Sequence, residues 1–228
     1  MKKGICHICL EEKPLTFEHY PPSKSFNNGR VLIGDKISQK GIGGYTLCEK
    51  CNNLTGGWYN NDFLKLSFSV HNILEKEQLD LKDDITGIGI TLKDVNPLYC
   101  AKQMLSSICN LIPIDELKKY NFRELLLEKD KCLEKPTFEL FVSLYANKEE
   151  GTLFKGPILL NGSDRVYCLC SYPFQILFVS KTGYSIKGFS SFNPLLQSIV
   201  HNNISYTFNI GYSKNNIFDF IKEAIRRV

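Results

Sequence analysis

Two kinds of apolar spacing divide the chain. Between residues 61 and 133 apolar side chains recur every three or four positions, the spacing that lines one face of a helix. In "NDFLKLSFSVHNILEKE" the residues Phe63, Leu66, Val70 and Ile73 fit that face, while Leu64, Leu66, Phe68 and Val70 alternate as a strand would. The "NND" ahead of the run offers a cap and "EKE" continues it, which favours the helix. The turn "DLKDD" then leads into "ITGIGITL", a predicted strand. "NPLYCAKQMLSSICNLIP" predicts the clearest helix, with Asn96 as cap, Pro97 in the first turn, Leu98, Ala101, Leu105, Ile108 and Ile112 on one side, and Pro113 as its end. A further helical stretch is expected from Asp115 to Leu133, broken at Asn121.

After Pro136 the period shortens to two. "TFELFVSLYA", "LFKGPILLNG", "RVYCLCSY", "FQILFVSK" and "ISYTFNIGY" are short, rich in aromatic and branched residues, and punctuated by Gly, Pro, Asn and Ser. Such runs predict an antiparallel sheet over residues 137–210. "KNNIFDFIKEAIRRV" predicts a closing helix over 214–228, with Ile217, Ile221, Ala224, Ile225 and Val228 as its stripe and Arg226 and Arg227 at its negative end. The expected fold class is α+β: a small N-terminal module over residues 1–60, then an α+β domain over 61–228 with a mainly antiparallel sheet. Apolar runs such as "FQILFV" fall far short of the ~20 residues of a membrane span, so none is expected.

Composition narrows the class. With 228 residues, 43% hydrophobic and 23% charged, the chain has the make-up of a globular protein with room for a small module and a larger domain. The net charge of +4 permits a nucleic-acid partner without demanding one. "MKKGICHICL" lacks the apolar stretch of a secretory signal, so a cytoplasmic chain is expected. In a reducing compartment, paired cysteines are metal ligands more often than disulfides.

The cysteines sort by spacing. Cys6 and Cys9 form "CHIC", and Cys48 and Cys51 form "CEKC". Each C-x-x-C knuckle presents two thiolates from one tight turn, and two knuckles supply the four soft ligands of a closed structural zinc site. His7 is then spare, beside the site or in solvent. Cys168 and Cys170 lie two apart in "YCLCSY", where a strand turns both to one face, and read as a buried reduced pair. Zinc would tie together the ends of residues 10–47, which carry Glu18 and His19 in "FEHYPPSKSF". Asn52 follows the last cysteine directly.

"CHIC", "EHYPPSKSF" and "LCEKCNN" together resemble the HNH endonuclease superfamily, in the version where two C-x-x-C knuckles hold zinc beneath a ββα-metal nuclease site. The resemblance covers about residues 4–60. It implies that Glu18 and His19 end a strand, that Pro21 turns the chain, and that Asn52 begins a helix. It further implies that His19 is the general base, and that Glu18 and Asn52 are ligands of a catalytic magnesium or manganese ion. The family's further histidine has Asn53, Asn60 or Asn61 as substitutes, since His71 and His201 lie off the spacing. Asn27 or Asn28 is a candidate for orienting His19. No basic residue follows Asn52 until Lys65. Lys24, Arg30, Lys36 and Lys40, opposed by Asp35, would either embrace a phosphate backbone or lie on a solvated hairpin.

The leading functional expectation is a metal-dependent endonuclease acting on nucleic acid, DNA ahead of RNA, in a phage, mobile-element or defence setting. The alternative is a catalytically degenerate, zinc-stabilised module that binds nucleic acid or protein. Residues 61–228 carry no catalytic constellation. Their expected roles are substrate positioning, binding a protein partner, or homodimerisation.

Overall fold

The structure, a computed structural model, describes residues 2–29, 31–33, 36–38, 40–76, 87–146, 153–160, 163–198, 205–212 and 225–227. Its N-terminal part is a three-stranded antiparallel sheet in the order β1 (Lys2–Ile5), β2 (Glu12–His19), β5 (Gly43–Cys48). The short strands β3 (Val31–Ile33) and β4 (Lys36–Ser38) pair with each other inside the excursion between β2 and β5. Arg30, Asp35, His201 and the "DLKDD" turn lie outside the described residues.

Helix α1 (Glu49–Lys76) follows β5 without a connecting loop. It begins well before the cap predicted from "NND", which lies inside it. The physical reason is a buried stripe that continues upstream through Cys51, Thr55, Tyr59 and Phe63 at four-residue spacing. A polar Thr55 and the pair Gly56 and Gly57 hide that stripe from a purely apolar count. The boundary expected at residue 60 therefore falls within one continuous helix.

Helix α2 (Pro97–Cys109) is buried along its whole length, and α1 packs against it. The Asn96 side chain caps it by accepting from the Leu98 N–H at 2.9 Å, and the Asn96 N–H donates to Asp62 on α1 at 2.8 Å. The stretch expected to be helical from Asp115 to Leu133 forms only α3 (Ile114–Leu117) and α4 (Phe122–Leu127), with Asn121 at the break. A buried lysine explains the early end. Lys102 Nζ donates to the carbonyls of Glu128 and Lys129 at 2.8 and 2.9 Å, groups that a longer helix would have used internally.

The larger sheet contains seven strands. Its order is β6 (Gly87–Leu92), β13 (Tyr206–Tyr212), β7 (Glu139–Leu144), β10 (Phe174–Val179), β9 (Asp164–Ser171) and β8 (Leu153–Leu160), with β12 (Ser190–Ser191) also on β7. Among the described residues, its only parallel pairing is β13 with β7. Both faces of its centre are covered, which is why a central run such as "FQILFV" is almost unbroken in apolar residues instead of alternating with polar ones. Tyr167, Leu169, Phe174, Ile176 and Phe178 join the core that includes α1, α2 and the N-terminal cysteines. Val166, Cys168, Cys170, Leu177 and Val179 form a second cluster on the other face. The Cys168 and Cys170 sulfurs lie 3.4 Å apart there, both buried.

The closing helix is corrected over part of its length. Ile225–Arg227 form strand β14, paired antiparallel with β11 (Tyr184–Ile186); strand pairing overrides the local helical spacing there. The remainder of that predicted helix lies outside the described residues. A short helix α5 (Asn193–Leu196) packs beneath β7, where Asn193 Nδ2 donates to the Phe138 carbonyl at 2.6 Å. Among the described residues, no helix is long and apolar enough to cross a membrane.

Candidate metal centre and adjoining polar site

Cys6 and Cys9 lie in the tight turn between β1 and β2; Cys48 ends β5 and Cys51 sits in the first turn of α1. All four are buried, and their sulfurs lie within 4.8 Å of one another. A tetrahedron with Zn–S bonds of about 2.3 Å sets its sulfurs about 3.8 Å apart, so the cluster fits a closed structural zinc site. The surroundings favour thiolates. The Cys48 N–H points at Cys6 Sγ at 3.4 Å, and the positive end of α1 lies at Cys48 and Cys51. A hydrogen bond from Cys51 holds the Cys6 thiol down to about 4, and that same contact, together with burial, raises Cys51. Four thiolates in one buried space would require a cation, which a dication of tetrahedral habit would supply.

His7 is drawn into the core instead of the cluster. Its Nδ1 lies 3.0 Å from the Cys109 carbonyl, which can only accept, so Nδ1 carries the proton. Burial lowers the His7 pKa, against the Cys109 carbonyl and the neighbouring Cys6, which raise it. The His7 N–H also donates to the Thr46 carbonyl at 2.9 Å, and Thr46 Oγ1 donates to Asn110 at 2.8 Å. These contacts fasten the cysteine cluster to the end of α2.

Glu18 and His19 close β2, as the resemblance implies, but their side chains have different neighbours. Alternation along the strand sets Thr16 and Glu18 towards α1. Asn52, in the first turn of α1, donates its amide to Thr16 Oγ1 at 3.1 Å, and its side chain is close enough to the Glu18 carboxylate to lower that group's pKa. Glu18 is half-buried, and burial pushes its pKa up to about 7 against the opposing Asn52 hydrogen bond. His19 lies with Phe17, whose ring meets it edge-on at 5.1 Å, and its Nε2 is 3.0 Å from the Lys40 carbonyl. The structure thus brings Glu18 and Asn52 together across 34 residues of sequence, while His19, the next residue of the strand, turns with Phe17 to the opposite face.

The partner that orients His19 is a backbone carbonyl, not the Asn27 or Asn28 side chain. Asn27 works one step removed. Its Nδ2 donates to the Pro21 and Ile42 carbonyls at 2.6 and 2.9 Å, and its Oδ1 accepts from the Ile42 N–H at 2.8 Å. It therefore clamps the two chain segments on either side of the histidine. Between them, Gly41 has φ +75°, and a Cβ there would come within 2.1 Å of the Asn27 carbonyl, so only glycine fits. Asn53 and Asn61 are exposed on α1, and His71 is engaged elsewhere, 2.8 Å from the Tyr172 hydroxyl. Thr16 and Gly41 were not visible as site residues in the sequence, and Lys40 was read there for its side chain, whereas its carbonyl is what meets His19. Strand alternation from Glu18 is the one signal that would have found Thr16.

Two outcomes follow from this geometry. Because the Glu18 pKa lies above its ordinary 4.5, the folded state holds its proton more tightly than the unfolded chain. Its stabilising effect is complete below about pH 4.5 and is lost as pH rises towards 7. Glu18→Gln should flatten stability across that window by on the order of 1–2 kcal/mol after solvent screening, read by denaturant titration at each pH. Asn27→Ala leaves buried backbone groups unsatisfied and should cost on the order of 2–3 kcal/mol, with zinc content unchanged by elemental analysis.

Comparisons of the chain with family models, with characterised proteins and with solved structures return no match.

Proposed function

We propose that residues 4–60 form a zinc-stapled, metal-dependent endonuclease site that hydrolyses phosphodiester bonds in nucleic acid, DNA ahead of RNA. The observation that carries this reading is the meeting of Glu18 and Asn52 next to a four-cysteine cluster, with His19 adjacent on the same strand end. The cytoplasm suits it, because a reducing compartment keeps the thiols available to zinc.

The chemistry assigns each group a task. Phosphodiester hydrolysis needs a nucleophilic water, a base to deprotonate it, and positive charge on the phosphoryl and leaving oxygens. His19 is the base, oriented by the Lys40 carbonyl. Glu18 and the amide oxygen of Asn52 are hard oxygen donors of the kind magnesium and manganese take. Asn52 donates its amide nitrogen to Thr16 Oγ1, so the oxygen of that amide is the proposed donor to the ion. A divalent ion also reverses the cost of ionising the half-buried Glu18. The zinc cluster, closed by four sulfurs, acts only by fixing β2 against α1. Residues 61–228 position substrate or bind a partner.

The test is a second class of ion site. Manganese titrated into zinc-loaded protein, followed by electron paramagnetic resonance, should show about one bound oxygen-ligated ion per chain. Glu18→Gln and Asn52→Ala should each weaken that binding by tenfold or more, on the order of 1.4 kcal/mol. Manganese that binds neither wild type nor variants would remove the catalytic reading and leave a degenerate, zinc-stabilised module.

A further inference from the structure

The outer face of the N-terminal sheet carries two large aromatic residues that the core does not use. Phe17 and Tyr45 are 48% and 47% exposed, and they stand directly opposite each other on β2 and β5. Their rings meet edge-on at 5.5 Å, and Phe17 in turn meets His19 at 5.1 Å. Lys2 Nζ lies 5.8 Å from the centre of the Tyr45 ring. Tyr45, Phe17 and His19 therefore form an unbroken aromatic row that starts beside a cation and ends at the proposed base.

Covering Gly43 accounts for part of this. A Cβ at Gly43 would come within 2.8 Å of the Phe17 ring, so Phe17 shields a bare stretch of backbone. That role explains neither the exposure of Tyr45 nor the position of Lys2. We propose that the row is a stacking platform for unpaired bases, and that the substrate it delivers to His19 is single-stranded nucleic acid. The inference rests on the nuclease reading of that site. Aromatic side chains stack on bases that are splayed out of a helix, whereas a duplex keeps its base faces inside. Lys2 adds the charge that a phosphate backbone requires. Continuity of the row with His19 selects this partner over a protein surface, which would not need a path to the base.

The test separates bases from phosphates. Fluorescence anisotropy in magnesium-free buffer compares three labelled probes of equal length: an oligothymidylate, an abasic strand and a duplex. Wild-type protein should bind the base-bearing strand roughly tenfold or more tightly than the abasic one, the size expected for one or two stacked bases. Tyr45→Leu and Phe17→Leu keep apolar bulk without an aromatic face, and should bring that ratio close to one while affinity for the abasic strand holds. Tyr45→Trp should preserve it. If Phe17→Leu does not fold, Tyr45→Leu and Tyr45→Trp carry the comparison, with zinc content as the check on folding. Equal affinity for base-bearing and abasic strands, a ratio unmoved by Tyr45→Leu, or tighter binding of duplex would overturn the platform. Base-dependent binding by a protein that cleaves nothing would support the platform and remove the nuclease reading. Cleavage without base-dependent binding would do the reverse.

Discussion

Cys48→Ser should unfold the N-terminal sheet instead of slowing a reaction. Cys48 is buried, ends β5, and its own N–H points at Cys6 Sγ, so the serine hydroxyl would replace a soft ligand at the joint of both knuckles. Structural zinc sites contribute about 10–16 kcal/mol of apparent binding free energy at neutral pH. Losing even a fraction of that compares with the whole net stability of a domain, about 5–15 kcal/mol. The expected readout is loss of the single zinc ion by elemental analysis, together with fast hydrogen exchange across β1, β2 and β5. Strands β9 and β10, covered on both faces, should keep their protection. A Cys48→Ser protein that stays folded without zinc would show that the cluster does not hold the module together.

His19→Gln should lower cleavage by about 10²–10⁴-fold, the usual contribution of a general base. Glutamine keeps a donor for the Lys40 carbonyl but cannot take a proton from water. Zinc content and nucleic-acid affinity should stay near wild type, because a base acts on the transition state and not on binding. Loss of zinc or of folding in this variant would make His19 a structural residue. Single-turnover cleavage beside anisotropy on the same probe separates the two outcomes.

Legibility in the sequence followed how local each constraint is. The knuckles are local, and their spacing alone led to a cluster whose sulfurs meet. The α2 helix and the runs of the larger sheet were equally legible, since each buries one continuous periodic set of side chains. The start of α1 was not legible from apolar spacing, because its stripe includes the polar Thr55 and is flanked by two glycines before Phe63; only the family resemblance had a helix begin near there, at Asn52. The early end of α4 was hidden for another reason: Lys102, a distant residue, takes the carbonyls of Glu128 and Lys129. Ile225–Arg227 fit a helical stripe until β11 offered them a partner. In the candidate site, the contact of Glu18 with Asn52 followed the family resemblance, while the Lys40 carbonyl beside His19 has no side-chain signature at all. Nor does alternation reveal that Phe17 and Tyr45 face water, since the same pattern lines a core.

The most direct measurement is cleavage by the zinc-loaded full chain. Supercoiled plasmid and a circular single strand are incubated with magnesium, with manganese, or with EDTA, beside His19→Gln in each condition. Cutting that requires the divalent ion, stops in EDTA and vanishes in His19→Gln while its zinc is retained is the predicted result. Intact plasmid and intact single strand under both ions, with protein that is folded and carries its zinc, would contradict it.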